Sequence, residues 1–285
     1  MSHARTLLSL LLLSCSACTT HLGAGTGRPA RAVQVPDFTV RKDIIYSPAG
    51  WPQALPADLY QPKGTGPWPG VLLIHGGSWT GADHRSQMAS IARRLARRGY
   101  VVMNATYRLA PQFLYPAQVK DLQQATKWLR DHAQELHLRA DRVGTFGYSA
   151  GGNLAALIAA IDAPASLRFG AVVAGGAPTD LRKFPDSPVV EKYLGGLECK
   201  IPGAFADASP ITHISRDDPP VFLYHGTRDT LVPVDQSTDY QAALQRKGVP
   251  HELLWQKGRG HVTAYFFDHD AVSAAIDFLD RHLRS

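Results

Sequence analysis

A serine, an aspartate and a histidine in this chain each stand where a strand of the predicted fold ends. Ser149 lies in GYSAGG, residues 147–152, a Gly-x-Ser-x-Gly pattern between a predicted strand and a predicted helix. Its glycines allow a tight turn that lifts the serine hydroxyl out of a sheet. Asp229 follows an apolar strand in HGTRDTLVP, and His261 follows the next strand in GRGHVTAY. A serine nucleophile needs a base and an acid that orients the base, and these two residues supply both.

Other side chains compete for the two supporting roles. Asp180, at the exit of an earlier strand, is the alternative acid. His225 shares a turn with Asp229, and we expect it to lie too close along the chain to be the histidine that this aspartate orients. His261 is the stronger base because the glycines around it let its loop reach the serine. The acidic run around His269 lacks a metal-site spacing such as H-E-x-x-H, so no metal is expected.

A glycine-rich turn follows a continuous apolar run in VLLIHGGSWTG, residues 71–81. The run predicts a strand buried on both faces, which carries the turn to the sheet edge where the serine emerges. His75 is a possible base by residue type, but His261 already fills that position. We therefore expect His75 to hold the turn in shape and Trp79 to pack beneath the site, with a direct wall of the substrate pocket as the alternative for Trp79.

The elements that must position these residues alternate between strand and helix. Apolar strands are predicted in GVLLIHGG, YVVMNATYR, DRVGTFGYS, GAVVAGGAP and PVFLYHGT, with helical patterns between them. This alternation predicts an α/β fold with a mostly parallel, twisted sheet and helices on both faces. Parallel strands end at one edge of a sheet, so Ser149, Asp229 and His261 are expected to meet there. Two earlier segments, VRKDIIYS and ALPADLYQP, predict an antiparallel entry pair.

The segment from about 180 to 217 interrupts this alternation. It is punctuated by proline and glycine and is long for a plain connection, which is typical of a lid or a binding loop. We expect one domain over residues 36–285 with a small cap insertion at 180–217. The insertion and the residues near 35–50 are expected to shape the acyl and alcohol pockets. The apolar residues of the insertion do not specify a ligand: Phe184, Tyr193, Leu194 and Phe205.

The first eighteen residues have the pattern of an export signal of the lipoprotein type. A short basic start precedes an apolar stretch and then cysteines among small residues. Cys18 is the preferred lipidation site and Cys15 the alternative, with ordinary signal cleavage or an uncleaved start also open. Residues 19–35 are rich in glycine and small residues, which predicts a flexible tether. The expected location is the periplasm or an outer-membrane anchor.

Composition and charge indicate a globular domain. The 285 residues are 45% hydrophobic and 19% charged, enough for a substantial core, and the formal net charge is +6. The densest basic cluster, RRLARR, has a spacing that lets its four arginines face solvent on one side of a helix: Arg93, Arg94, Arg97 and Arg98. No nucleic-acid motif accompanies the cluster, so no nucleic-acid partner is expected. With Cys18 lipidated, Cys199 would be a free thiol.

Residues 70–283 together resemble the α/β-hydrolase group of small esterases with an HGGxW element, which includes hormone-sensitive-lipase-like, bacterial feruloyl-esterase-like and kynurenine-formamidase-like enzymes. The resemblance rests on HGGSW, YRLAP, YP with Asp121, GYSAGGNLA, HGTRDTLVP and GRGH. It implies the α/β-hydrolase fold and a serine hydrolase that cleaves small carboxylic esters through an acyl-enzyme, without a cofactor. A formamidase-like amidase, a small serine exopeptidase and a noncatalytic binding lipoprotein are the alternatives.

The resemblance also implies an oxyanion hole built from backbone N–H groups of the HGG turn and of the residue after the nucleophile. On this chain those are Gly76, Gly77 and Ala150, with Ser78 as a further contributor. Ser78 departs from the third glycine of the HGGG esterases. Tyr148 departs from the aspartate of many lipase-like relatives, which favours the HGGxW branch.

Overall fold

The computed structural model describes residues 19–22, 37–161 and 167–284. Within these ranges, nine strands form one sheet: β1 (Thr19–Leu22), β2 (Phe38–Ile45), β3 (Pro56–Pro62), β4 (Trp68–Ile74), β5 (Val101–Ala105), β6 (Leu138–Tyr148), β7 (Val172–Gly175), β8 (Val221–Gly226) and β9 (His251–Gln256). Their spatial order is β1-β9-β8-β7-β6-β4-β5-β3-β2.

Six neighbouring strands pair in parallel: β9, β8, β7, β6, β4 and β5. Antiparallel strands flank them, β1 beside β9 and the pair β3 and β2 beside β5. The predicted antiparallel entry pair is confirmed as β2 and β3. Because the parallel strands share one direction, their carboxyl ends meet at one edge of the sheet. The predicted mostly parallel α/β sheet is therefore confirmed.

Helices connect these strands within the described part of the chain. They are α1 (Arg85–Arg97), α2 (Ala117–Asp131), α3 (Ala150–Ala160), α4 (Pro188–Leu194), α5 (Pro202–Asp207), α6 (Asp235–Lys247), α7 (His261–Phe266) and α8 (His269–Leu283). Apolar side chains of α1 and α8 pack on one face of the sheet, and those of α2 and α3 pack on the other. None of the described helices is long and apolar enough to cross a membrane.

Strand β4 shows why its sequence is a continuous apolar run. Val71 and Leu73 point into the core beneath α1 and α8, whereas Leu72 and Ile74 point into the core beneath α2 and α3. Successive side chains of a strand face opposite sides, so a strand covered on both faces needs apolar residues at every position. All four side chains are fully buried, which confirms the prediction for this segment.

The cap insertion is more regular and more firmly anchored than its sequence suggested. It contains α4 and α5, flanked by two short 3₁₀ turns. Asn153 of α3 donates to the Ala208 carbonyl at 3.1 Å. Tyr193, Leu194 and Phe205 are buried in the main core, so only Phe184 of these four apolar residues lines a pocket beside Ser149. Val189 and Val190 of the insertion also line this pocket, in agreement with the expectation that the insertion shapes it, whereas the described residues of the stretch near 35–50 line neither cavity beside Ser149.

The N-terminal prediction is corrected at one point. Thr19–Leu22, expected to begin the flexible tether, form a strand that pairs antiparallel with β9. This pairing satisfies backbone N–H and C=O groups that would otherwise leave β9 as an open sheet edge. Cys15, Cys18 and the rest of the predicted signal and tether lie outside the described residues.

The basic cluster on α1 does not present all four arginines to solvent. Arg98 contacts Asp277 and Asp280 of α8, each at 2.6 Å. Arg94 donates to the Ser273 hydroxyl on the same helix at 2.9 Å. The other two arginines of the cluster are exposed. Half of the cluster therefore fastens α1 to α8, because α8 packs beside α1 and presents carboxylates to it.

Candidate active site

Ser149 occupies the sharp turn between β6 and α3, with φ 57° and ψ −125°. A Cβ atom on Gly147 would lie 2.1 Å from the Gly151 carbonyl oxygen, and one on Gly151 would lie 2.2 Å from the Ile74 carbonyl oxygen. Both positions therefore require glycine. The backbone conformation of Ser149 is strained, and the packing around the turn compensates for its energetic cost. The turn exposes the serine hydroxyl at the sheet edge.

The structure brings the three predicted side chains into one hydrogen-bonded chain. Nδ1 of His261 lies 2.6 Å from Oδ2 of Asp229, and Nε2 of His261 lies 2.9 Å from Oγ of Ser149. A carboxylate only accepts hydrogen bonds, so Nδ1 carries the proton and Nε2 is free to accept the proton of the serine hydroxyl. This is the geometry of a nucleophile beside an oriented general base.

The Asp229 carboxylate is held by several donors besides His261. The N–H groups of Leu231 and Val232 donate to its Oδ1 at 3.0 and 2.8 Å. Burial raises the pKa of Asp229, but hydrogen bonds from His225, His261 and Val232 outweigh burial and hold that pKa well below its usual range. The acid therefore stays ionised at neutral pH.

His225 was not expected to be the histidine that Asp229 orients towards the serine, and His261 holds that position. His225 nevertheless contacts the same carboxylate. Its Nε2 lies 3.2 Å from Oδ2 of Asp229 and 2.9 Å from the Val232 carbonyl oxygen. Both of these groups only accept, so Nε2 carries the proton, and Nδ1 accepts from the Ser237 hydroxyl at 2.6 Å. The turn after β8 folds back on itself, so side chains four residues apart meet. The four-residue spacing in HGTRD was the available signal.

Tyr148 is a second contact that the sequence did not indicate. Its hydroxyl donates to the His261 carbonyl oxygen at 2.6 Å, and the two rings lie 5.1 Å apart. His261 was expected in a loop but begins the short helix α7. Tyr148, the residue that replaces the aspartate of lipase-like relatives, therefore ties the nucleophile strand to the backbone of the base.

His75 contacts the turn that it begins. It is 1% exposed, its Nδ1 donates to the Gly76 carbonyl at 2.7 Å, and its ring stacks on Tyr107 at 4.5 Å. Nε2 then accepts from the Thr106 hydroxyl at 3.2 Å. Burial lowers the pKa of His75 to about 4, so the ring is neutral at physiological pH. These contacts agree with the expectation that His75 shapes the turn.

The backbone N–H groups of the predicted oxyanion hole are free to bind an anion. In the part of the chain that the structure describes, no protein group accepts a hydrogen bond from the N–H of Gly76, Gly77, Ser78 or Ala150. Gly77 has φ 107° and Ser78 has φ 58°, so the turn departs from the extended conformation directly after β4. All four residues border cavities that also include Ser149.

The remaining predicted residues near the site make structural contacts. Trp79 is 3% exposed, stacks on Tyr193 at 4.4 Å and donates to Asn153 at 3.3 Å, in agreement with a packing role. The alternative acid Asp180 forms an ion pair with Arg182 at 2.7 Å. Among the described contacts, Asp180 makes no hydrogen bond to His261. The carboxylate partner of His261 is Asp229, in the turn after β8.

Asp121, one of the resemblance residues, is a buried structural acid. It accepts from the Arg108 backbone N–H and from the Trp51 indole, each at 2.8 Å. Its partners tie the segment after β5 to α2 and to the entry strands. These contacts give Asp121 and Arg108 of YRLAP a role in stabilising the fold.

Comparison with known families decides the broader class. The BD-FAE family profile matches residues 57–244, a range that includes Ser149 and Asp229 and ends before His261. The chain belongs to the BD-FAE family. This is an α/β-hydrolase family, and the predicted resemblance is thereby confirmed.

Individual relatives agree with this placement. The BD-FAE chain is 30% identical over 247 residues to a probable carboxylic ester hydrolase, LipM, of Mycobacterium tuberculosis, with 79% of this chain and 57% of that protein covered. It spans about half the length of the curated relatives it matches.

Solved structures share the architecture. An esterase of Pyrobaculum calidifontis has a TM-score of 0.73 and 26% identity, with 85% of this chain and 84% of that chain covered. A truncated carbohydrate esterase from gut microbiota has a TM-score of 0.79 and 21% identity, with 90% of this chain and 99% of that chain covered. The second likeness concerns the fold alone. The predicted α/β-hydrolase fold is confirmed.

Proposed function

We propose that this BD-FAE chain is a serine hydrolase that cleaves carboxylic esters of small molecules. The observation that carries the proposal is the hydrogen-bonded chain from Asp229 through His261 to Ser149, with distances of 2.6 and 2.9 Å, beside unpaired backbone N–H groups. The similarity to a probable carboxylic ester hydrolase and to a solved esterase supports the ester as the bond that is cleaved.

In the first half of the reaction, His261 Nε2 removes the Ser149 proton as Oγ attacks the carbonyl carbon of the ester. The carbonyl oxygen becomes an oxyanion that accepts hydrogen bonds from the N–H groups of Gly76, Gly77 and Ala150. The tetrahedral intermediate collapses, His261 gives its proton to the leaving alcohol, and the acyl group stays on Ser149.

In the second half, water takes the place of the alcohol. His261 removes a proton from the water, the hydroxide oxygen attacks the acyl carbon, and the acid is released as Ser149 regains its proton. Asp229 stays ionised and stabilises the imidazolium form of His261 in both halves. Atoms and charges balance in this cycle without a cofactor.

Labelling with a fluorophosphonate tests the nucleophile. The wild type is expected to form one covalent adduct, and Ser149→Ala is expected to form none. Ser78→Ala is the matched control because Ser78 borders the same two cavities as Ser149. Adduct formation that persists in Ser149→Ala and disappears in Ser78→Ala would overturn the assignment.

A panel of substrates tests whether the enzyme cleaves an ester or an amide bond. Acyl esters of p-nitrophenol, acetylated sugars, feruloyl esters and N-formyl amides are compared, each with wild type and Ser149→Ala. Turnover of esters that is lost in Ser149→Ala is the expected result. Turnover of amides with indifference to every ester would replace esterase by amidase.

We also propose that the protein is exported and anchored through a lipidated cysteine, Cys18 in preference to Cys15. The support is the lipoprotein-type pattern of the first residues: a short basic start, an apolar stretch and cysteines among small residues. Metabolic labelling with a fatty-acid analogue is expected to mark the wild type and Cys15→Ala but not Cys18→Ala. Labelling that is lost only in Cys15→Ala would assign the lipidation site to Cys15. A wild type that is not labelled would contradict lipidation.

A further inference from the structure

We infer that the site divides an ester between two cavities of unequal size, a small one for the acyl group and a wide one for the alcohol. This inference rests on the proposed ester hydrolysis. The small cavity has a volume of about 90 Å³, and its lining includes Trp79, Ala150, Pro178, Phe184, Val190 and Val232. The wide groove has a volume of about 330 Å³, and its lining includes Gln87, Tyr148, His261, Val262, Tyr265 and Phe266.

The two cavities meet at the nucleophile. Ser78, Ser149 and Leu231 border both of them. The carbonyl carbon bound to Ser149 Oγ therefore sits at their junction, with one substituent of the carbonyl able to enter each cavity.

The proton transfer decides which half of the ester enters which cavity. The leaving alkoxide oxygen must receive its proton from His261 Nε2, so it must lie on the His261 side of the carbonyl carbon. His261 lines the wide groove and not the small cavity. The alcohol therefore occupies the wide groove, and the acyl group that stays on Ser149 occupies the small cavity.

The inner wall of the small cavity is rigid, whereas Val189 and Leu231, 40% and 62% exposed, line it on the solvent side. Trp79 and Val190 are each 3% exposed, and Trp79 is clamped by its stack on Tyr193. Phe184 packs against the main core on its other side. Close-packed walls of this kind do not give way to additional methylene groups without loss of packing, so the cavity selects short acyl groups.

The wide groove presents apolar side chains to solvent. Val262 and Phe266 are 59% and 71% exposed and lie four residues apart on one side of α7, next to His261. An exposed aromatic ring beside a groove stacks against another flat apolar face. The substrate class is therefore a short-chain acyl ester of an alcohol that carries a ring, either aromatic or a sugar with an apolar face.

Two substrate series separate the cavities. The acyl series holds p-nitrophenol constant and lengthens the acyl chain from acetyl to octanoyl. The alcohol series holds acetyl constant and compares ethyl, benzyl and naphthylmethyl acetates, which all release an alkoxide, with an acetylated sugar, and it distinguishes an alcohol that carries an aromatic ring from a sugar. In the wild type, kcat/KM is expected to fall as the acyl chain lengthens and to rise from ethyl to the ring-bearing acetates.

Variants of each cavity give a crossed result. Val190→Ala is expected to raise kcat/KM for octanoyl relative to acetyl by about tenfold, while the order of the alcohol series stays the same. Phe266→Ala is expected to raise KM for the ring-bearing acetates by about two- to tenfold, while the order of the acyl series stays the same. Phe184→Leu repeats the first test at a half-buried position, in case Val190→Ala does not fold.

The inference is overturned if Val190→Ala and Phe184→Leu both alter only the alcohol series, if Phe266→Ala alters the acyl-length preference, or if neither series responds. Fluorophosphonate labelling keeps the two proposals apart. A chain that labels at Ser149 but shows no crossed pattern contradicts only the division of the ester, whereas a chain that does not label contradicts ester hydrolysis itself.

Discussion

Two turns flank Ser149, and they serve it by different means. The HGG turn, residues 75–81, offers backbone N–H groups, and its one buried histidine is neutral because burial lowers the pKa of His75 to about 4. The acid–histidine edge, residues 225–232 together with 258–266, works through side chains, with the Asp229 carboxylate at its centre.

The two turns nevertheless begin alike. His75 and His225 each precede a glycine at the end of an apolar parallel strand, and each donates to a carbonyl of its own turn. The carboxylates that they face lie at different distances: Nε2 of His225 is 3.2 Å from Oδ2 of Asp229, whereas Nε2 of His75 is 3.9 Å from Oδ1 of Asp83. The same His-Gly motif thus shapes a turn with free backbone N–H groups in one case and supports an ionised acid in the other. The neighbouring side chains decide which.

The acid–histidine edge fails most severely when its charge is removed. Asp229→Asn leaves the size of the side chain but removes the acceptor that fixes the His261 tautomer, so kcat/KM is expected to fall by about 10³–10⁴. Asp180→Asn, the alternative acid, is the matched control and is expected to stay near wild type. A large loss in Asp180→Asn with a small one in Asp229→Asn would reassign the acid.

The HGG turn fails when its backbone is displaced. A Cβ atom on Gly77 would lie 2.4 Å from Cδ2 of His84, and the φ of 107° disfavours any residue with a Cβ atom, so Gly77→Ala is expected to displace the turn and its N–H groups. Loss of one oxyanion donor lowers kcat by about 10²–10³. Gly81→Ala is the control, because Gly81 also has positive φ but the nearest atom lies 3.9 Å from its added Cβ. Gly81→Ala is expected to lose stability while retaining most of its kcat; equal loss of kcat in both variants would mean that strain alone explains the effect.

His225 tests whether the acid needs its second histidine. His225→Leu removes a hydrogen bond to a charged group, which is expected to lower kcat/KM by roughly ten- to a hundredfold. The less stabilised carboxylate holds the His261 imidazolium more strongly, so the acidic limb of the pH–rate profile is expected to move to higher pH. A purely structural role would leave that limb in place.

The conservative variant completes this test. His225→Gln keeps an N–H donor at a similar distance from the backbone and is expected to restore the position of the acidic limb and most of the rate. If His225→Leu leaves the acidic limb in place, and His225→Gln restores neither the position of the limb nor the rate, His225 is a packing residue.

The smallest effect on rate, and a distinct effect on stability, is expected at His75. Its folded pKa of about 4 lies below the ordinary 6.5, so the unfolded chain binds more protons between these values. The free energy of unfolding therefore falls as pH drops from 6.5 to 4, by up to about 3 kcal/mol from this residue. Asp229 has a lowered pKa, so the stability that it lends is present above its ordinary 3.8 and is lost below it.

Denaturant unfolding at pH 7 and pH 4.5 measures this fall in the free energy of unfolding. His75→Asn keeps a donor near the Gly76 carbonyl and cannot be protonated in this range, so its fall in stability is expected to be smaller than that of the wild type. The acidic limb of its pH–rate profile is expected to be unchanged. His269→Asn is the control, because the His269 side chain is 86% exposed. Disappearance of the limb in His75→Asn would make His75 the base.

Local patterns were sufficient for the frame of this protein. The apolar run of β4, the glycines around Ser149 and the positions of Asp229 and His261 after successive strands each depend on neighbours a few residues away. Parallel strands end at one edge, so these local signals predict that the three residues meet. The chain order of serine, acid and histidine needed no further information.

Other features depend on contacts between elements that are distant in sequence. The bond from Tyr148 to the His261 carbonyl, the burial of Tyr193 in the core and the docking of Arg98 on α8 each require a particular packing of helix on sheet. A sequence shows which side chains are apolar, charged or able to donate. It does not show which partner will be within about 3 Å, because that distance is decided by the register of strands and the packing of whole elements.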